Sequence, residues 1–391
     1  KVVKQHELRL HEQIMNALVI LEKGLIPRKD KPGTQGTVIV NAGGNGATKH
    51  VADGGARSFG GPNPKKVHYY SSILLSGIKI GVEAAEQTMG VEEGVDLVLT
   101  AMETVEDDMA RQNCRATYDV QLGTVGTATT ANTSTTTTTS DPGPFEPGMP
   151  IDIYNGSTKV EEVTVVDVEY SADPAGTHTI TFSGSGTGGA CANNWTTSYV
   201  IYLAGTGPGT GEDHGPITLA DGTADAALMG INPDDGYNWS GNLSTSATGA
   251  LTKTERENLI TLCFRRAKKK GAGLIMSPVM EDRYGRLEDD KVRYGSGSNL
   301  DPRGAGHLEA KGNIIYVEEL AGDSDVWCLP PKGHIECHEF SKFHVQGAKG
   351  KKTFDLVVDQ DNSNFLIPVS LSRNLRFNKR HGLGRLTGIS S

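Results

Sequence analysis

The chain has 391 residues, a formal net charge of −9, 49 glycines and only 6% aromatic residues. That length holds two or three domains with a sizeable core, and the acidic balance excludes a protein whose main task is gripping nucleic acid through its phosphates. No run approaches the roughly 20 apolar residues of a membrane span, so no membrane partner is expected, and no secretory signal is read.

Five irregularly spaced cysteines, Cys114, Cys191, Cys263, Cys328 and Cys337, point to reduced thiols in a cytosolic compartment. The first residue is Lys rather than Met, which reads as a start inside a longer chain.

Val2 to Lys23 reads as an amphipathic helix, with Leu8, Leu10, Ile14, Leu18 and Leu21 on its apolar side and Gly24 as its stop. From Leu25 to Pro64 the apolar content thins. One short β-like run, Thr37 to Val40, stands between glycine clusters, so a long arm or hairpin with no core of its own is expected. Val67 to Val82 is β-rich and returns the chain to the body. The arm is basic: Lys23, Arg28, Lys29, Lys31, Lys49, Arg57, Lys65, Lys66 and Lys79 stand against only Asp30 and Asp53.

Thr88 to Cys114 follows as one long acidic helix. Val91, Val95, Val98, Met102, Val105 and Met109 step by four and three, which makes one apolar stripe. Glu92, Glu93, Asp96, Glu103, Glu106, Asp107 and Asp108 fall on the opposite faces. At about 1.5 Å per residue the helix spans roughly 40 Å.

Thr127 to Ser140 reads as a Thr/Ser linker. Met149 to Leu203 alternates apolar and polar residues, with turn signals at Asn155-Gly156 and Asp173-Pro174, which predicts an inserted small β-barrel or sandwich. Gly205 to Asn242 is turn-rich and irregular.

Thr252 opens a second helix through a capping box with Glu255. Gly271 ends it, and Gly273 to Pro278 is a buried strand, so the pair forms an α/β unit. Strand-like runs recur at Asn313 to Glu318, Val326 to Leu329, Thr353 to Val358 and Asn364 to Val369, before a basic, Gly-rich tail from Arg373.

The catalytic and metal motifs fail one by one. His11-Glu12 lacks the second histidine of a zinc-protease helix. In "NAGGNGATKH", Ala47 and Thr48 separate the last glycine from Lys49, which breaks a phosphate loop. Cys337 and His338 are adjacent to each other and so point to opposite faces of a strand, leaving Cys328 and His334 without a closed zinc set. Glu106, Asp107 and Asp108 diverge around their helix, which suits a solvated or subunit-facing acidic face better than a cation cage. No G-x-S-x-G elbow is present. No catalytic, cofactor or metal residue is therefore assigned. An arm with no core is stable only against a partner, and a second copy of the chain is the default.

The order of these elements resembles the major capsid protein of tailed bacteriophages. "YYSSILLSGIKIGVEAAEQ" is similar to the return strand of that family's extended loop. "DDMARQNCRATYDVQLG" is similar to the end of its spine helix. "GINPDDGYNWSGN" and "LTKTERENLITLCFRRAKKKGAGLIMSP" look like the entry to the axial domain, and "FHVQGAKGKKTFDLVVDQDNSNFLIPVSLSRNL" looks like the β return through the peripheral domain.

The resemblance implies an α+β fold. Its expected parts are an N-terminal arm over 1–24, an extended loop over 25–82, a spine helix over 83–126, and a linker with inserted β domain over 127–205. A connection over 206–250, an axial domain over 251–339 and a C-terminal return over 340–391 complete it. It implies hexamers and pentamers closing into an icosahedral shell around double-stranded DNA, with scaffold, portal and decoration partners, assembled in the host cytoplasm. Candidate inter-subunit contacts are the arm residues Arg28, Lys29, Lys31, Arg57, Lys65 and Lys66, set against Glu92, Glu93, Asp96, Glu103, Glu106, Asp107 and Asp108 of a neighbour. The alternative is a β-rich fibre, decoration or surface-binding protein that uses the inserted β domain.

Overall fold

The computed structural model describes residues 2–41, 64–81, 91–124, 136–139, 145–169, 178–183, 195, 199–207, 215–233, 239–247, 249–292, 309–310, 313–345, 357–359 and 364–389. Helices and open sheets alternate along the chain, in a mixed α+β architecture.

The first helical segment is broken. α1 covers Val2–Asn16 and α2 covers Val19–Glu22, because Leu18 takes an extended conformation at the N-cap of α2. The expected apolar side holds for Leu10, Ile14, Leu18 and Leu21, which are buried, whereas Leu8 is exposed. Glycine at 24 takes a φ of 59°, the left-handed conformation that ends the segment.

β1 (Arg28–Asp30) then runs parallel to β16 (Ile335–Val345), at the edge of the main sheet. In that sheet β16 pairs antiparallel with β18 (Asn364–Phe377), and β18 pairs with β17 (Val357–Asp359) and β4 (Ser72–Gly81). The arm itself is a hairpin of β2 (Gln35–Asn41) and β3 (Pro64–Tyr70).

The long helix α3 spans Val91–Tyr118, 28 residues. It crosses the inner face of the main sheet beside α1. Met102, Val105 and Met109 of the predicted stripe are buried in the main core. The core continues through Val369, Leu371, Leu375 and Phe377 on alternate positions of β18. These positions share one face of the strand, and Ser370, Ser372 and Asn374 on the other face are buried too.

The second sheet is antiparallel throughout, ordered β5 (Gln121–Thr124), β10 (Val200–Leu203), β7 (Pro150–Asn155), β8 (Thr158–Glu169), β9 (His178–Ser183), β6 (Thr136–Thr139). Its core is separate and includes Phe145, Ile151, Ile153, Val165, Ile180 and Phe182. Among the described residues the order is open, with β5 and β6 at its two edges, rather than the expected barrel or sandwich. The tract read as a linker contributes one of those edges. Threonine is β-branched and suits a pleated strand, and Thr136–Thr139 pair with His178–Thr181. The chain leaves through β5 and comes back through β10 beside it, with Val200 opposite Thr124.

The third sheet is mixed, ordered β11 (Asn242–Thr245), β19 (Gly384–Thr387), β15 (Val326–Leu329), β12 (Gly273–Met276), β14 (Asn313–Val317), β13 (Glu309–Ala310). The helix α4 (Leu219–Thr223) precedes it in the chain. α5 (Lys253–Ala267) packs Leu259, Ile260 and Cys263 into its core. The Thr252 side chain accepts the Glu255 N–H at 3.2 Å, as the sequence predicts. The helix stops short of Gly271 because Lys268 takes a φ of 56°. A further helix, α6 (Pro278–Val292), was not anticipated; Pro278 opens it, with Ser277 Oγ accepting the Met280 N–H at 3.3 Å.

The basic tail is not a loose segment. Arg380 is fully buried, and its guanidinium donates to the carbonyls of Asp221, Gly222, Ala224 and Ala226 around the end of α4.

Candidate functional site

The hairpin is two-faced. Directly opposed residues of an antiparallel pair share a face. Gln35, Thr37 and Ile39 pair with Tyr70, His68 and Lys66, and this face is exposed except for the half-buried Tyr70. Ile39 is 70% exposed. On the other face Gly36 opposes Tyr69, and Val67 and Tyr69 are buried in the main core. The root of the arm is therefore pinned to its own body through Val67 and Tyr69, in the run that the sequence reads as returning the chain to the body. A Cβ on Gly36 would meet the Tyr69 ring at 2.0 Å, so glycine is what lets the ring lie flat across the hairpin.

Tyr69 Oη is 2.7 Å from His338 Nδ1, and His338 Nε2 is 3.1 Å from Glu336. Lys29 donates to the same carboxylate at 2.8 Å, and Arg376 lies 3.4 Å from it. Burial raises the Glu336 carboxyl, but Lys29, His338 and Arg376 together hold it below its ordinary range. Cys337, the next residue, faces the other way, towards Arg373, as alternation along a strand requires.

A second buried network lies across the sheet. Glu339 accepts from His11 Nε2 at 2.9 Å and from Arg28 Nε at 2.6 Å. His11 Nδ1 accepts the Phe343 N–H at 3.2 Å, so Nε2 is the nitrogen that carries the hydrogen. Arg28 also forks onto Glu12 at 2.9 and 3.2 Å. Burial works against the Glu339 charge, yet hydrogen bonds from His11 and Arg28 win and bring its pKa down to about 2. This network joins α1, β1 and β16.

The predicted contact residues divide on these facts. Arg28 and Lys29 spend their charge on Glu339, Glu12 and Glu336 of the same chain. The Lys31 side chain is half-buried, and its backbone N–H donates to Glu339 O at 2.8 Å. Lys66 is exposed and Lys65 half-buried, on opposite faces of β3. Arg57 lies outside the described residues. Glu92, Glu93 and Asp96 sit in the first turns of α3, with their side chains outside the described set.

Asp107 and Asp108 are exposed. Glu103 pairs with Arg9 of α1 at 3.3 Å, both more than half exposed. Glu106 departs from the expected polar face: it is only 8% exposed. It stands four residues after Met102 and three before Met109, so it shares their side of the helix. Burial, then the Asp107 charge, raise its pKa.

Sequence reading missed the outer face of β4. Ile73 is 56% and Leu75 64% exposed. They lie opposite Ser372 and Ser370 on β18, and among the described residues β18 is the strand that β4 pairs with. The signal was present as the alternation of Ile73, Leu75 and Gly77 with Leu74, Ser76 and Ile78. Beside this strand a cleft of about 380 Å³ is lined by Leu74, Leu75, Asp108, Met109, Glu146 and Leu203, among others. Its floor is α3 and its far wall is the second sheet with the segment that leads into β7. Arg111 and Arg115 hold that wall through Glu146 at 3.2 and 3.0 Å. The face thus combines a strand edge that is unpaired among the described residues, exposed aliphatic side chains and flanking carboxylates. Such a surface is suited to another protein rather than to a small molecule.

No protein-family model matches the chain, and no curated protein matches it in sequence. Among solved structures it is similar to the capsid of a native GTA particle, at 9% identity over 96% of this chain and 90% of that one, with a TM-score of 0.50. It is similar also to the capsid chain of cyanophage A-1(L), at 11% identity over 95% and 92% of the two chains, with a TM-score of 0.50. At such identities the likeness is one of fold.

Proposed function

We propose that this chain, which carries the fold of tailed-phage capsid proteins, is the major shell-forming protein of a tailed double-stranded DNA phage. It is a structural protein rather than an enzyme. The observation that supports this is the extent of the match: nearly the full length of both chains follows one fold.

In this reading α3 is the spine helix, β2 and β3 form the base of the extended loop, and the main sheet belongs to the peripheral domain. The mixed sheet with α5 is the axial domain. Copies associate as hexamers and pentamers. The outward face of the arm, with Ile39 and Lys66, lies over a neighbour. The β4 face with Ile73 and Leu75 lies at a subunit boundary, near Asp107 and Asp108.

Exposed ion pairs contribute only about 0 to 1 kcal/mol each. Cohesion therefore comes from repeated apolar burial at about 25 cal/mol per Å². An acidic balance lets enclosed DNA slide along the wall rather than stick. Scaffold, portal and decoration proteins are the other partners this reading implies, with assembly in the host cytoplasm and a final place in the virion capsid.

Negative-stain microscopy of the purified protein tests the proposal. Closed shells or six-membered rings are expected. Monomers that persist at high concentration would overturn it.

A further inference from the structure

Cys263 on α5 and Cys328 on β15 converge on one point of the mixed sheet. Cys328 lies directly opposite Gly384 on β19, so these two residues share a face and their Cβ positions are about 5 Å apart. A Cβ on Gly384 would stand 2.4 Å from the Cys263 sulfur. The helix thiol therefore occupies the side-chain place of Cys328's nearest cross-strand neighbour, a place that is vacant only because residue 384 is glycine. The neighbouring Cys263 thiol, and then burial, push the Cys328 pKa well above the usual thiol range. Both are reduced and buried.

Access comes from one side. A cleft of about 240 Å³ is lined by both cysteines, together with Ile260, Phe264, Gly271 and Gly382. The other described cysteines, Cys114 and Cys337, are each buried in the main core.

We infer that Cys263 and Cys328 form a modification site, in which a small peroxide entering this cleft converts the pair to an intramolecular disulfide that staples α5 to β15. In the first step one thiolate attacks the peroxide, the O–O bond breaks, and a sulfenic acid and hydroxide form. In the second, the other sulfur attacks the sulfenic sulfur, the S–O bond breaks, and water leaves. Two thiols and one hydrogen peroxide give one disulfide and two waters. The high pKa of Cys328 makes the reaction slow at neutral pH and faster in alkali, since the thiolate is the reacting form. The inference does not depend on whether the chain builds shells.

The test uses the full-length native chain treated with hydrogen peroxide, then alkylated in denaturant, digested and mapped by mass spectrometry. The expected product joins the peptides carrying Cys263 and Cys328, lighter by two hydrogens and restored by dithiothreitol. Cys114 and Cys337 stay open to alkylation, and the oxidised protein melts several degrees higher. Cys263→Ser and Cys328→Ser each abolish the linked peptide. If either variant fails to fold, the wild-type map alone decides. Cys263 and Cys328 both remaining alkylatable, or going on to sulfinic acid without linking, would overturn the inference. So would a linked peptide that forms only after denaturation.

Discussion

Glu339 and Glu318 are both buried carboxyls, and their surroundings push them in opposite directions. Glu339 has His11 and Arg28 as donors and a pKa of about 2, below its ordinary 4.5. Its charge therefore stabilises the fold above pH 4.5, and the contribution is lost as pH falls towards 2. The size is about 3 kcal/mol. Glu339→Gln should cost about 3 kcal/mol at pH 7, because it leaves His11 and the half-buried Arg28 guanidinium short of a carboxylate charge. Urea titrations at pH 7 and pH 3 check this, and the difference between wild type and variant should shrink at the lower pH.

Glu318 instead sits at the junction of α2, α3 and β14. It accepts the Val19 N–H at 2.9 Å and faces the buried Tyr118 hydroxyl, which has no well-aligned hydrogen bond. Burial is the largest cause that raises its pKa to about 7, with the Glu319 and Glu22 charges adding to it. The native state then holds a proton that the unfolded chain has released between pH 4.5 and 7, so this contribution to stability falls as pH rises through that window. Glu318→Gln keeps an acceptor for Val19 and removes the ionisation. It should raise the melting temperature at pH 8 and leave it nearly unchanged at pH 4.5; an equal shift at both would refute the assignment.

At the scale of elements, the hairpin depends on a single close approach. Gly36→Ala drives a methyl into the Tyr69 ring, and overpacking of this kind costs about 1 to 3 kcal/mol. The loss should be local, because Tyr69 also anchors the arm through His338. Amide exchange in β2 and β3 is expected to quicken about tenfold or more, with the cores of the other two sheets unaffected.

None of this was legible in the sequence, where Gly36 is one glycine among many and Tyr69 one aromatic in a β-rich run. The elements that were legible carry local signals. The α3 stripe repeats by four and three, the Thr252 cap stands three residues before its glutamate, and Gly273–Met276 is uniformly apolar. What escaped were features set by distant partners. Thr136–Thr139 became a strand because β9 offers it an edge. Glu106 became buried because α1 covers its side of α3. The tail arginines found carbonyls and carboxylates brought from elsewhere in the chain; Arg385, for example, bridges Asp119 and Asp325 at 2.9 and 2.7 Å. Order along the chain conveyed the architecture, while the pairing of charges needed the fold.

For the molecule as a whole, the separation of three cores matters. A change on the outer face of β4 touches none of them. Ile73→Glu with Leu75→Glu should therefore alter the stability of the single chain by less than about 0.5 kcal/mol per site, while preventing association. Light scattering and thermal melts on the same sample check both halves. Normal assembly of the double variant would remove that face from the proposed subunit boundary.

The path through β5 and β10 has a consequence of another kind. Thr124 and Val200 stand opposite each other, so the rest of the fold meets what runs between them as a docking port with a fixed gauge. A replacement whose ends arrive at that spacing keeps the β5–β10 pairing, but it must also supply a carboxylate for Arg111 and Arg115 of α3 in place of Glu146.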